Sequence, residues 1–322
     1  MNRVSSSWRY KKVWIYILLA LIAAFCFTTA IQYYYDMKAA YERLQSYSVK
    51  TIETEFGTMS YVEEGAGEAI LISHGIFGGY DQGFVSLSQV TGESYRKISV
   101  SRFGYPGSEL PEDPTPENQA KVFIALLDEL GIEQAYILTT SAGGAAGFRF
   151  ALDYPDRVKG LILLSSGVPD QKRSAEEIKE LGMMGPPELL VNDFPIWFSL
   201  KYFGFIFNAM MGSDVSGSAL SETMLPVSLR RQGVIEDTKI TNIDMTLHYE
   251  DYPLEELKMP ILVVHAKDDP MAKYESIEKL LSRVSAEIAI FETGGHTIDG
   301  NGGKVRNAIV DFLEKNKIMH GK

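Results

Sequence analysis

The chain has 322 residues, 45% of them hydrophobic and 23% charged, with a formal net charge of −11. This is an ordinary globular balance, so disorder and low complexity are excluded, and the length suits one large α/β domain with accessories or two small ones. The acidic balance, with no stripe of Lys and Arg beyond the amino terminus, argues against nucleic acid as a partner.

The amino terminus differs from the rest. Arg3, Arg9, Lys11 and Lys12 precede an uncharged run over residues 13–35 that includes Ile15, Ile17, Leu18, Leu19, Leu21, Ile22 and Phe25. At about 1.5 Å per helical residue, such a run crosses a hydrocarbon layer of roughly 30 Å. Trp8, Tyr10 and Trp14 at one end and Tyr33, Tyr34 and Tyr35 at the other resemble interfacial aromatic belts. Residues 1–35 therefore read as a basic cytoplasmic tail with a single-pass transmembrane anchor, and residues 36–50 as a juxtamembrane spacer. The basic flank predicts a cytoplasmic amino terminus and an exported remainder. A cleaved signal peptide is the rival reading, with Thr28-Thr29-Ala30 a weak cleavage site. The single cysteine, Cys26, lies inside the apolar run and forms no intramolecular disulfide; it reads as a small apolar residue facing lipid.

Residues 51–56 and 58–62 alternate in polarity around Gly57, which predicts an antiparallel hairpin. Residues 69–73 are continuously apolar, as in a strand buried on both faces. They end in His74-Gly75-Ile76-Phe77-Gly78-Gly79, where glycines let backbone N–H groups face a ligand. His74 reads as a structural residue that ties this loop by a hydrogen bond. Another strand, residues 97–101, closes at Arg102-Phe103-Gly104-Tyr105-Pro106-Gly107-Ser108. A helix over residues 116–130 follows, with Thr115 as N-cap, Pro116 at the first helical position and Gly131 as stop.

The central stretch is Ala135-Tyr136-Ile137-Leu138-Thr139-Thr140-Ser141-Ala142-Gly143-Gly144. Its apolar, β-branched start predicts a buried strand, and its small end a sharp turn. Residues 145–154 then read as a helix stopped by Pro155. A serine at the apex of strand, turn and helix is the geometry of a nucleophile elbow. The usual first glycine of that motif is Thr139 here.

On these residues the chain from about position 51 to the end resembles the α/β-hydrolase superfamily. The His74-Gly75 loop, the Gly104-Tyr105-Pro106-Gly107-Ser108 turn, Ser141-Ala142-Gly143-Gly144 and the helix and strand over residues 151–164 carry the resemblance. It implies an α/β fold with a mostly parallel, doubly wound sheet, and oxyanion donors at the backbone N–H groups of Ile76 and Ala142. Thr139 and Ser101 depart from the common pattern, the latter standing where many relatives carry Asp.

After Pro169 the alternation of strand and helix stops until about residue 253. Residues 170–252 are rich in large apolar side chains, among them Met183, Met184, Phe194, Trp197, Phe198, Phe203, Phe205 and Met210. The resemblance makes this insertion a helical lid on a core formed by residues 51–169 and 253–322. Trp197 and Phe198 are expected to line an apolar acyl pocket or to touch the membrane.

Strand pattern resumes at residues 260–265, followed by Ala266-Lys267-Asp268-Asp269-Pro270. The last strand, residues 287–291, leads to Thr293-Gly294-Gly295-His296, and a final helix spans residues 304–316. Glycines before a histidine give a close-approach loop. Ser141, an aspartate and His296 each follow a strand and so gather at one sheet edge, in the order nucleophile, acid, base that the family uses. The family pattern favours Asp269 as the acid; Asp268 is the alternate, and Asp170 a further candidate. His265 reads as hydrogen-bonded scaffold. No metal-binding spacing, P-loop lysine or dinucleotide fingerprint is present, so no cofactor and no metal are expected.

The implied activity is that of a membrane-anchored carboxylesterase or lipase-like serine hydrolase acting through an acyl-enzyme on a small, apolar acyl substrate. The same triad could instead cleave a peptide, thioester or carbon–carbon bond, or act as an acyltransferase. A non-catalytic binding protein on this scaffold is the alternative from another class.

Overall fold

The computed structural model describes residues 4–92, 94–181, 184–214 and 222–320; Arg3 and Met183, singled out above, lie outside them. The chain divides into two compact units, residues 1–45 and 46–322. The first is one helix, α1 (Val4–Gln45), of 42 residues. It is long and apolar enough to cross a membrane. At about 1.5 Å per residue it measures about 63 Å, twice a hydrocarbon layer. The helix therefore runs without a break through the residues read as anchor and most of those read as spacer.

The second unit is built on an eight-stranded sheet in the order β1-β2-β4-β3-β5-β6-β7-β8. Strands β1 (Lys50–Thr54) and β2 (Gly57–Glu64) form the expected hairpin, turned at Gly57 with φ 98°. β2 pairs antiparallel with β4 (Tyr95–Val100). The remaining strands are parallel: β3 (Glu68–Ser73), β5 (Ala135–Ser141), β6 (Val158–Ser166), β7 (Ile261–Ala266) and β8 (Glu287–Phe291).

A parallel strand is covered on both faces, and the side-chain period of two divides its residues between two cores. In β3, Leu71 joins one core, with α3 (Pro116–Glu129), α4 (Gly144–Asp153) and α10 (Tyr274–Leu281), while Ile70 and Ile72 join the other, with α2 (Tyr80–Val90) and α11 (Gly302–His320). Helices thus cover both faces, as a doubly wound sheet requires. At α3 the N-cap Thr115 accepts a bond from the Asn118 N–H, and Gly131 adopts φ 63° just past the end.

The stretch between β6 and β7 contains short helices: α5 (Ala175–Leu181), α6 (Asp193–Tyr202), α7 (Gly204–Met211), α8 (Arg231–Glu236), a π-helical turn (Asp237–Thr241) and α9 (Asn242–Leu247). Trp197 turns inward and is 2% exposed, whereas Phe205 is 68% exposed and Phe194, Phe203, Ile206 and Met210 are also exposed. The outward apolar surface is thus carried chiefly by α7. An open apolar depression of about 320 Å³ lies between α6 and α7, lined by Leu190, Ser199, Phe203, Ile206, Phe207 and Met210.

Candidate active site

The carboxyl ends of β3, β5, β7 and β8 carry the residues of interest. At the end of β5 the backbone turns through Ser141 with φ 49°. A side chain in this left-handed region is strained by about 1 kcal/mol or more, and such strain concentrates at functional sites. All four non-glycine residues with positive φ among the described residues lie at this edge or in its loops: Phe77, Ser141, Ser165 and Ile298.

The glycines after Ser141 are dictated by close approach. A Cβ on Gly143 would stand 2.0 Å from the Ser73 carbonyl oxygen, and one on Gly144 would stand 2.1 Å from that of Gly167. Thr139, the departure from the glycine pattern, is accommodated from the helix side. A Cβ on Gly147 of α4 would meet the Thr139 methyl at 2.1 Å, so helix and strand have exchanged which of them is small. The Thr139 hydroxyl donates to Ser166 Oγ at 2.8 Å.

The loop after β3 passes against the elbow: a Cβ on Gly75 would stand 3.1 Å from Ser141 Cβ. Gly78 N–H bonds to the Gly75 carbonyl and Gly143 N–H to that of Thr140, closing two turns in which the N–H groups of Ile76 and Ala142 take no part. His74 is fully buried and holds this loop, as expected. Its Nε2 accepts from the Arg102 backbone N–H at 3.0 Å, so the ring proton sits on Nδ1, 2.8 Å from the Gly75 carbonyl oxygen. Burial, reinforced by the charge of Arg102, pushes the His74 pKa well below its usual value, so the ring is neutral.

Asp269 and His296 meet across the loops that follow β7 and β8. His296 Nδ1 is 2.8 Å from Asp269 Oδ2, while the other carboxylate oxygen accepts from the N–H groups of Met271 at 2.8 Å and Ala272 at 3.0 Å. Burial works to raise the Asp269 pKa, but the hydrogen bond and charge of His296 and the two backbone donors outweigh it and hold the group below its usual value. Asp268 points elsewhere, accepting from the N–H groups of Gly295 at 2.8 Å and Gly294 at 3.2 Å, and so braces the histidine loop. Asp170 is engaged with Ser276, at 3.0 Å, and stands 3.6 Å from Lys279. His265 is scaffold: Nε2 bonds to the Ala272 carbonyl at 2.7 Å. No hydrogen bond joins the Ser141 hydroxyl to His296 among the described residues, and bonds of this type often tighten only when substrate arrives.

The insertion reaches this edge. Gly212, the left-handed cap of α7 with φ 64°, leaves no room for a side chain: a Cβ there would stand 2.9 Å from Pro270 Cδ and 3.2 Å from Gly295 Cα. Residues that the sequence patterns did not single out are Asp81, Arg230 and Asp237. They form buried ion pairs beside the loop after β3, and no local pattern pairs charges 135 or 149 positions apart.

A mostly parallel, doubly wound sheet with an elbow serine and a paired aspartate and histidine at its carboxyl edge defines an enzyme of the hydrolase class built on the α/β-hydrolase fold. Residues 68–298 match the family model for the alpha/beta hydrolase fold, and the chain belongs to that family. It is 35% identical over 120 residues to an uncharacterized hydrolase, YcgS, of Bacillus subtilis, a match spanning 37% of this chain and 41% of that protein. It is 27% identical over 268 residues to a 2-hydroxy-6-oxononadienedioate/2-hydroxy-6-oxononatrienedioate hydrolase of Paraburkholderia phymatum, covering 79% of this chain and 90% of the relative. Among solved structures, an esterase from Exiguobacterium antarcticum shares the fold with a TM-score of 0.64 at 18% identity, over 82% of this chain and 99% of that one.

Proposed function

We propose that the protein is a membrane-anchored serine hydrolase that cleaves carboxylic esters through Ser141, His296 and Asp269, with the N–H groups of Ile76 and Ala142 as oxyanion donors. The observation that carries this reading is the 2.8 Å bond between His296 Nδ1 and Asp269 Oδ2. With Nδ1–H committed to the carboxylate, Nε2 is the acceptor that removes the Ser141 proton as its oxygen attacks the ester carbonyl. The same nitrogen returns that proton to the leaving alcohol, and a water repeats the cycle on the acyl-enzyme. The residues assigned to the core, 51–169 and 253–322, supply this machinery, and the insertion 170–252 acts as the lid.

α1 supports the anchor. The basic residues before its apolar run favour a cytoplasmic amino terminus and an exported catalytic unit. The exposed apolar side chains of α7 favour an apolar acyl substrate. A second reading, hydrolysis of a carbon–carbon bond by the same triad, draws on the match to the Paraburkholderia relative across most of both chains.

Covalent labelling by a fluorophosphonate probe, lost in Ser141→Ala, tests the nucleophile. A panel of p-nitrophenyl esters of graded chain length, aminoacyl amides and a vinylogous diketone separates ester, amide and carbon–carbon cleavage. Turnover confined to the diketone would replace the first reading by the second, and an unlabelled, inactive wild type would remove both. Detection of the full-length chain in the membrane fraction is expected; a soluble form beginning near Ile31 would refute the anchor.

A further inference from the structure

Two buried ion pairs join the insertion to the core, and they run in opposite directions. Arg102, on the core just after β4, meets Asp237 of the π-helical turn through Nη1–Oδ1 and Nη2–Oδ2 contacts, both 2.6 Å. Arg230, just before α8, reaches Asp81 of α2 through Nη1–Oδ1 at 3.1 Å and Nη2–Oδ2 at 2.7 Å. The side chains are 4% and 2% exposed in the first pair and wholly buried in the second.

Both arginines also hold the loop after β3. Arg102 Nε donates to the His74 carbonyl at 3.0 Å, and Arg230 Nη1 donates to the Gly78 carbonyl at 2.6 Å. Tyr105 completes the network. Its hydroxyl donates to Asp237 Oδ2 at 2.5 Å, and its ring stands edge-on to His74 with centroids 4.6 Å apart. Three carbonyls of the loop around Ile76 are thereby tied: those of His74 and Gly78 by arginines, and that of Gly75 by His74.

Stability alone does not account for this arrangement, because apolar packing of similar volume serves a buried site as well as an ion pair or better. Bidentate guanidinium–carboxylate contacts add angular fixing, which apolar contacts do not. Resting on the serine-hydrolase reading above, we infer that Asp237 and Arg230 are positioning residues through which the insertion sets the orientation of the loop bearing the Ile76 oxyanion donor. Arg230 and the π-helical turn that carries Asp237 then stay fixed to the core and do not move as part of an opening lid.

The test measures kcat and KM for p-nitrophenyl butyrate with the full-length protein. Rates are normalised to serine titrated to completion by a fluorophosphonate, alongside inhibition by a trifluoromethyl ketone that forms the tetrahedral adduct. In Asp237→Asn and Arg230→Met, kcat is expected to fall about tenfold to a hundredfold, with KM within roughly threefold of wild type and ketone affinity falling in step with kcat. Arg231→Gln is the control; this arginine bonds Val191, Asn192 and Glu188 inside the insertion, and its loss should leave kcat unchanged.

Tyr105→Phe removes one oxygen and no charge, so it decides the matter if the charged variants fail to fold, and the same split is expected. Unchanged kcat in folded Asp237→Asn or Tyr105→Phe, or a loss confined to KM, would overturn the inference while leaving the serine-hydrolase reading intact. A wild type that neither labels nor turns over any ester would refute that reading and the inference with it.

Discussion

Replacing Asp269 with asparagine preserves the shape of the acid loop and removes its charge, so it isolates the electrostatic share of the proposed catalysis. When His296 takes up the serine proton, the imidazolium and the carboxylate face each other at 2.8 Å. Unit charges at that distance attract by about 6 kcal/mol at an effective dielectric constant of about 20. A second effect acts in the same direction. Met271 and Ala272 direct their N–H groups at one side-chain oxygen of residue 269, so the amide introduced by Asp269→Asn would keep its carbonyl there and turn its NH₂ toward His296. The ring would then carry its proton on Nε2 and could not accept one from Ser141.

The expected loss in kcat is about ten-thousandfold, or about 5.4 kcal/mol, comparable to the loss when the corresponding carboxylate of serine proteases is changed to an amide. Asp268→Asn weakens only the bracing of Gly294 and Gly295 and should cost about tenfold or less. The assay is steady-state hydrolysis of p-nitrophenyl butyrate, with circular dichroism to verify folding. Retention of Asp269→Asn activity within about tenfold of wild type, or a larger loss in Asp268→Asn, would refute the assignment.

Three further outcomes follow from the same geometry. Because the folded pKa of Asp269 is depressed, its stabilising contribution is complete above the ordinary carboxylate value and lost as pH falls through the folded value. The unfolding free-energy difference between wild type and Asp269→Asn in urea should therefore be level above about pH 5 and shrink below about pH 4; a difference that grows on acidification would contradict it. Gly147→Ala drives a Cβ against the Thr139 methyl at 2.1 Å and should destabilise by about 1 to 3 kcal/mol, with Thr139→Gly in the same chain recovering most of it. A double variant no more stable than the single one would show that the contact is not the cause. Finally, Phe205→Ser with Ile206→Ser should lower turnover of long-chain esters more than that of butyrate, whereas equal losses would separate α7 from the acyl chain.

The elements that lie on one continuous stretch were legible from their residues. The hairpin around Gly57, the continuous apolar strands, the cap at Thr115 and the stop at Gly131 each rest on a local period or a local dihedral requirement. α2 is harder to read because it carries Gly83, Ser86 and Ser88. Gly83 is needed where the helix crosses the sheet, since a Cβ there would stand 2.2 Å from Ser99 Oγ. α10 has Ile277, Leu280 and Leu281 at helical spacing and is accessible to the same reasoning as α3. Asp268 and Asp269 are adjacent and chemically identical, so the residues alone do not separate them. Their roles diverge because the chain turns between them, sending one carboxylate to backbone N–H groups and the other to an imidazole. The size and apolarity of Trp197 point to a pocket wall or a membrane face; its burial on α6 leaves that surface to α7.

The departures from family pattern follow a common rule. A position described as invariantly small is a statement about the distance between two elements, and either element can satisfy it. Thr139 is tolerated in the strand because Gly147 yields space in the helix, so the motif is fulfilled by a pair of residues eight positions apart. The loop after β3 is a comparable case at longer range. Its conformation depends on carboxylates and guanidiniums that the insertion and the core lend to each other across more than a hundred positions. A reading by motif sees the glycines that allow such a loop to bend. The constraint that selects one bend among many is in the crossed charges, and it becomes visible only once the sheet has brought those side chains together.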